Sequence, residues 1–148
     1  MKQSVAVLLA LVLLGCTHNS GSSTTPGKEK VQEYSSTAIT LSDCSMKIMG
    51  YYQSQHLSVP EDFDARQFFD LLQKIYPDQP GVAFIQKNYK VSVRWINGGY
   101  SVMLCDPKTN QKIMEDFSCH VNRVEIQSWQ SPTPGECVFE KDWKAKCD

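Results

Sequence analysis

The sequence predicts an α+β fold, N-terminal helices packed on one face of a three- to four-stranded antiparallel meander. Two observations carry it. A stretch with apolar residues at helical spacing, Asp64 to Tyr76, comes first; a pair of alternating segments joined by Asn97-Gly98 comes second. Helical pattern followed by strand pattern, rather than the two alternating, separates this class from a parallel α/β sheet.

At the start of the chain, Lys2 precedes ten uninterrupted apolar residues, Val5 to Leu14. As a helix that run covers about half of a hydrocarbon core roughly 30 Å thick, too short to span it but the length of a signal-peptide core. Leu13-Leu14-Gly15-Cys16 then resembles the lipobox of bacterial lipoproteins: an apolar residue three before the cysteine, a small one directly before it, and the cysteine. Leu14 is bulkier than the usual residue at its place. The resemblance implies that residues 1–15 are a signal peptide. It also implies that Cys16 becomes the acylated N-terminus, carrying enough acyl chain to hold stably to a bilayer. Thr17 stands where an Asp would retain the chain at the inner membrane, so the implied localisation is the cell envelope, at the outer rather than the inner membrane.

Residues 16–33 are expected to form the lipidated cysteine and a flexible tether. From Thr17 to Lys30 there is no large apolar side chain to offset the entropy of ordering. Residues 34–148 form one disulfide-containing domain, a usual size for a single core. Within it, Ser42 or Asp43 is placed to cap a short helix running to about Gln53, with Met46, Met49 and Tyr52 on one side. The second helix, Asp64 to Tyr76, carries Phe68, Leu72 and Ile75, with Phe69 and Tyr76 widening the stripe. Acidic residues open it, and Pro77 ends it. Pro80-Gly81 marks the turn out.

Tyr89, Val91, Val93 and Trp95 alternate with Lys90, Ser92 and Arg94, and Asn97-Gly98 is the strongest two-residue hairpin signal. That turn sets Trp95 opposite Tyr100, Val93 opposite Val102 and Val91 opposite Leu104, all on one face. Asp106 to Asn110 makes a second turn. Ile113, Glu115 and Phe117 fall in a third strand, and Val121 to Trp129 in a fourth with Val124 and Ile126 inward. The tail from Ser131 is irregular and tied down by a disulfide.

Five cysteines remain beside Cys16: Cys44, Cys105, Cys119, Cys137 and Cys147. In an exported protein these favour disulfides over metal ligation. An odd number leaves one thiol over, expected buried rather than joined to another chain. Spacing does not select the connectivity; Cys137–Cys147 and Cys105–Cys119 are the pairs nearest in sequence.

The chemistry-bearing residues form no reactive constellation. Cys119 and His120 are adjacent and would point to opposite faces of a strand. His56 sits in a loop, and no thiol-hydrolase signature surrounds any cysteine. CxxC, HxxxH and HExxH are all missing, so no metal and no cofactor are expected. Glu61, Asp62 and Asp64 are helix-start charges, and Glu115-Asp116 a solvated strand end. With 15 basic and 16 acidic residues, the net charge of −1 offers no nucleic-acid surface. No residue is assigned a catalytic role.

What is left is recognition. Tyr51, Tyr52, Trp129 and Trp143 are the aromatic candidates for a partner surface. The expected partners are the bilayer, through acylated Cys16, and another envelope protein. The expected function is a non-enzymatic accessory module bound at the membrane, of secretion or assembly, inhibitor or immunity type. The alternatives are a structural or surface lipoprotein without a dedicated ligand, and a thiol-dependent envelope enzyme. The helix-then-sheet layout is similar to that of outer-membrane assembly factors and secretin pilotins, without a motif shared with either.

Overall fold

In a computed structural model, residues 27–96, 98–118 and 135–139 are described. Helix α1 runs from Lys28 to Ser54, much longer than the short helix expected from Ser42, and it takes in the last residues assigned to the tether. The Ser/Thr content that argues for loop is absorbed within the helix. Thr37 Oγ1 donates to the Glu33 carbonyl at 2.7 Å and Thr40 Oγ1 to the Ser36 carbonyl at 3.0 Å, so the hydroxyls bond back to the preceding turn instead of opening it. The core side is a continuous stripe, Tyr34, Ala38, Leu41, Ser45, Ile48 and Tyr52, spaced by alternating steps of four and three. At the C-terminus His56 adopts φ 53, and the N–H groups of His56 and Leu57 donate to the carbonyls of Gln53 and Tyr52. This is a Schellman stop with His in the position glycine usually fills.

Helix α2, Ala65–Ile75, has the expected extent. Asp64 caps it: the Gln67 N–H donates to Asp64 Oδ1 at 2.8 Å, while the Asp64 N–H donates to Gln67 Oε1 at 3.0 Å. Phe68 and Leu72 are buried. The turn at Pro80-Gly81 leads into a further helix, α3, Val82–Asn88, which the sequence reading does not anticipate. Gly81 has φ 82, and a Cβ there would lie 3.1 Å from Thr40 Cγ2, so the position suits glycine on both counts.

The sheet comprises β1 (Lys90–Ile96), β2 (Gly99–Asp106), β3 (Gln111–Ser118) and β4 (Gly135–Glu136), all antiparallel, in the order β1-β2-β3-β4. The β1–β2 register is the expected one: Trp95 pairs with Tyr100, Val93 with Val102 and Val91 with Leu104. Gly98 takes φ 88 in the connection. The Asp106–Asn110 turn is held by Asp106 itself, whose carbonyl accepts from the Asn110 N–H and whose Oδ1 accepts from the Lys108 N–H at 2.8 Å. A register shift opposite Leu104/Cys105 lets both Ile113 and Met114 be buried on β3. The fourth strand placed at Val121–Trp129 lies outside the described residues.

Helix α1 crosses β2 and β3, while α2 and α3 lie against β1. Between them Tyr52, Phe63, Phe68 and Tyr100 form a chain of ring contacts, with centroid distances of 5.1 to 6.0 Å. Every residue of β2 is buried. On the sheet's other face, Cys105 is bonded to Cys137 with Cα atoms 5.9 Å apart, and the Arg94 guanidinium lies 4.6 Å from the Phe139 ring. This bridge replaces both nearest-in-sequence pairings. The ladder explains it: Cys105 pairs with Lys112, and Lys112 with Gly135, which brings Cys137 alongside.

Candidate partner-binding face

The outward side of α1 is unusual for a helix on a protein surface. From residue 31 onward its exposed positions are Val31, Gln32, Ser36, Ile39, Met46, Gly50 and Ser54, without one charge. Val31 and Ile39 are each 49% exposed and Met46 39%. At 100° per residue Ile39 and Met46 lie almost in line, with Val31 somewhat to one side. Surface helices ordinarily carry charge opposite their apolar stripe, and charge depletion together with methionine marks the centre of protein interfaces.

Of the charged residues α1 carries beyond its first turn, Glu33 and Lys47 are engaged elsewhere and Asp43 is half-buried. Lys47 Nζ donates to Gln79 Oε1 and lies 5.2 Å from the Tyr76 ring, tying α1 to the segment after α2. Beside it, a shallow hollow of about 120 Å³ is lined by Leu72, Tyr76, Val82 and three glutamines. That is well below the size of a pocket that holds a small-molecule ligand.

At the N-terminal end of α1 a polar lock fastens the helix to the sheet. Lys30 Nζ donates to Glu33 Oε1 at 2.9 Å and lies 3.8 Å from Asp106 Oδ2. The Tyr34 hydroxyl donates to Asp106 Oδ2 at 2.5 Å, and the Tyr89 hydroxyl to Glu33 Oε1. Asp106 is 3% exposed. Burial works to raise its carboxyl, but the Tyr34 hydroxyl, the backbone N–H of Lys108 and the nearby Lys30 outweigh that and hold it below the ordinary value. Glu33 is also lowered, first by the Tyr89 hydroxyl and then by Lys30. Burial raises both tyrosines, reinforced by the carboxylates they bond; Tyr89 is pushed up to about 12. Lys30 is raised by its bond to Glu33.

The aromatic candidates divide. Tyr52 belongs to the core stripe: it is 7% exposed and packs edge-on against Phe63, so it offers no surface to a partner. Tyr51 is half-buried, with its ring 5.8 Å from that of Tyr52. Trp129 and Trp143 lie outside the described residues, as do Cys16, Cys119, Cys147 and His120. Cys44 is a free thiol inside the core, and burial pushes it up to about 11, which suppresses the thiolate. Among the described residues no group of three His, Cys, Asp or Glu could hold a metal ion, and no helix is long and apolar enough to cross a membrane. The α1 face is not visible while the helix is expected to begin only at Ser42. With its extent known, Val31, Ile39 and Met46 and the missing charges can be read directly from the sequence.

Comparison with protein-family models, with curated proteins and with solved structures returns no match for this chain.

Proposed function

We propose that this chain is an envelope lipoprotein, held at the outer membrane by lipid on Cys16, whose folded domain is a non-enzymatic accessory module that docks another envelope protein on the outward side of α1. The observation that carries the docking is the run of uncharged exposed positions from Val31 to Ser54. A solvated helix gains solubility from charge on that side, whereas a helix face that enters an interface must shed charge to avoid its desolvation. The anchor rests on the Leu13–Cys16 pattern. Residues 17–27 separate Cys16 from α1, and fully extended they reach about 40 Å. On this reading the polar lock sits where the tether enters the fold, so a pull from the membrane is taken up by Lys30, Tyr34 and Asp106 before it reaches the core.

Photo-crosslinking in the native host tests this directly. A photoreactive residue at Ile39, and separately at Met46, should give one and the same discrete adduct. The same residue at Asp70, exposed on α2, should give none. Diffuse or position-independent adducts, or none from α1, would reject the docking face. Intact mass of the purified N-terminus tests the anchor separately: a retained leader or an unmodified cysteine removes it.

A further inference from the structure

The sheet's two edges are treated differently. On the β3 side, β4 pairs with Gln111 and Lys112. On the other side β1 lies outermost, and no backbone group of any described loop bonds to Lys90–Ile96. The connection between Ile96 and Gly99 is two residues long, so that pair closes the hairpin as a hydrogen-bonded pair. The alternation along an antiparallel ladder then turns the N–H and C=O of Trp95, Val93 and Val91 away from β2. The side chains of these same three residues lie on the helix-covered face, packed against the core yet only half-buried. Among the described residues β1 therefore presents an unpaired backbone edge at Val91, Val93 and Trp95, and an apolar strip that stops abruptly at it.

We propose that β1 pairs with β1 of a second copy of this chain, antiparallel about a two-fold axis through Val93, joining the two sheets edge to edge. The register follows from the sequence of the strand. Val93 meets Val93 of the second copy, Val91 meets its Trp95, Ser92 meets its Arg94 and Lys90 meets its Ile96. Every outward-pointing backbone group then faces another outward-pointing one, because the axis pairs odd positions with odd. The three apolar side chains of each copy continue one strip on the same face across the joint. No like charges stand directly opposed, and each Arg94 is drawn onto its own Phe139. Edge strands that stay single are usually short, bulged or covered; this one has seven residues and no register shift against β2. A self-complementary patch of this kind is what a two-fold interface requires. The interface is separate from the α1 face, so either can fail without the other.

Cysteine pairing in the full chain, read on non-reducing gels after thiol trapping, discriminates the register. Val93→Cys should convert most of the protein to a species of twice the mass, since the axis brings the two Cα atoms to about 5.5 Å, within disulfide reach. Val91→Cys alone should stay at the wild-type background, and should form the dimer only when co-expressed with Trp95→Cys. A Val93→Cys chain no more dimeric than wild type overturns the proposal, as does Val91→Cys dimerising equally well. An adduct of Val93→Cys with a protein of different mass also overturns it, assigning the edge to another occupant. Sedimentation of the unsubstituted chain in detergent needs no variant to fold. A dimer mass at micromolar concentration is expected, and a monomer there refutes the pairing.

Discussion

The two sides of α1 obey different rules. Toward the sheet, Tyr34, Ala38, Leu41, Ser45, Ile48 and Tyr52 repeat at the helical step, and each is sealed against β2, β3 or the helices beside them. Away from it, Val31, Ile39 and Met46 follow nearly as regular a line but leave about two-fifths to half of their surface in solvent. The inner side is accounted for by folding alone. The outer side is not: the fold would stand as well with lysines and glutamates there, and a lone soluble domain would be more soluble for them. What separates the sides is the kind of quantity a substitution should move, stability for the inner one and association for the outer.

The largest effect is expected on the inner side. Leu41 is fully buried at the crossing of α1 and the sheet, and Leu41→Ala leaves a cavity that rigid neighbours cannot close. A loss of about 4 kcal/mol in chemical denaturation is expected. A loss below about 1 kcal/mol would mean that α1 packs loosely, and the contrast between its sides would lose its basis.

Next comes the bridge on the far face of the sheet. Cys105–Cys137 closes a loop of 32 residues and holds a strand only two residues long. Cys137→Ser should therefore remove about 3 kcal/mol and leave hydrogen exchange slow in α1 while β3 and the segment after Gly135 exchange faster. If protection in α1 fell equally, the bridge would belong to the global core rather than to a local strap.

Smaller and pH-dependent is the lock at the end of α1. Glu33 and Asp106 sit below their ordinary 4.5 and 3.8, so their contribution is complete above those values and is lost as pH falls through the lower folded-state ones. Tyr34 and Tyr89 sit above 10. Their contribution is complete below that and is lost as pH rises, for Tyr89 through about 12. Asp106→Asn should cost about 2 kcal/mol at pH 7 and flatten the acid limb of the stability profile. An unchanged acid limb would show that the lock does not hold the helix end.

How much of this the sequence displays depends on how local each signal is. The β1–β2 hairpin was fully legible, because Asn97-Gly98 and strict alternation fix both turn and register. α2 was legible because Phe68 and Leu72, Asp64 and Pro77 agree. With Ser42 as its cap, α1 is expected fifteen residues later than the observed cap Gly27, since Ser36, Thr37 and Thr40 read as loop until their hydroxyls are seen to bond within the helix. α3 is seven residues long, too short for a periodic signal. The lock joins residues 72 and 56 positions apart, and the bridge needs three strands in register; no local pattern carries either.

The smallest expected change in stability carries the most weight for the outer side. In the double variant Ile39→Lys/Met46→Lys, both positions are exposed enough for a lysine head to reach water, lysine is as good a helix former as methionine, and replacing the β-branched Ile39 slightly favours the helix. The chain should therefore unfold within about 0.5 kcal/mol of wild type. Recovery of the crosslinked partner should nevertheless fall at least tenfold, because two charges would have to be desolvated at the contact, and tenfold corresponds to only about 1.4 kcal/mol. Ser36→Lys, on the same helix but farther round from that line, supplies the control for added charge as such. If the double variant loses stability, the outer side is hidden core; if it keeps both stability and partner, the uncharged face has no role in docking.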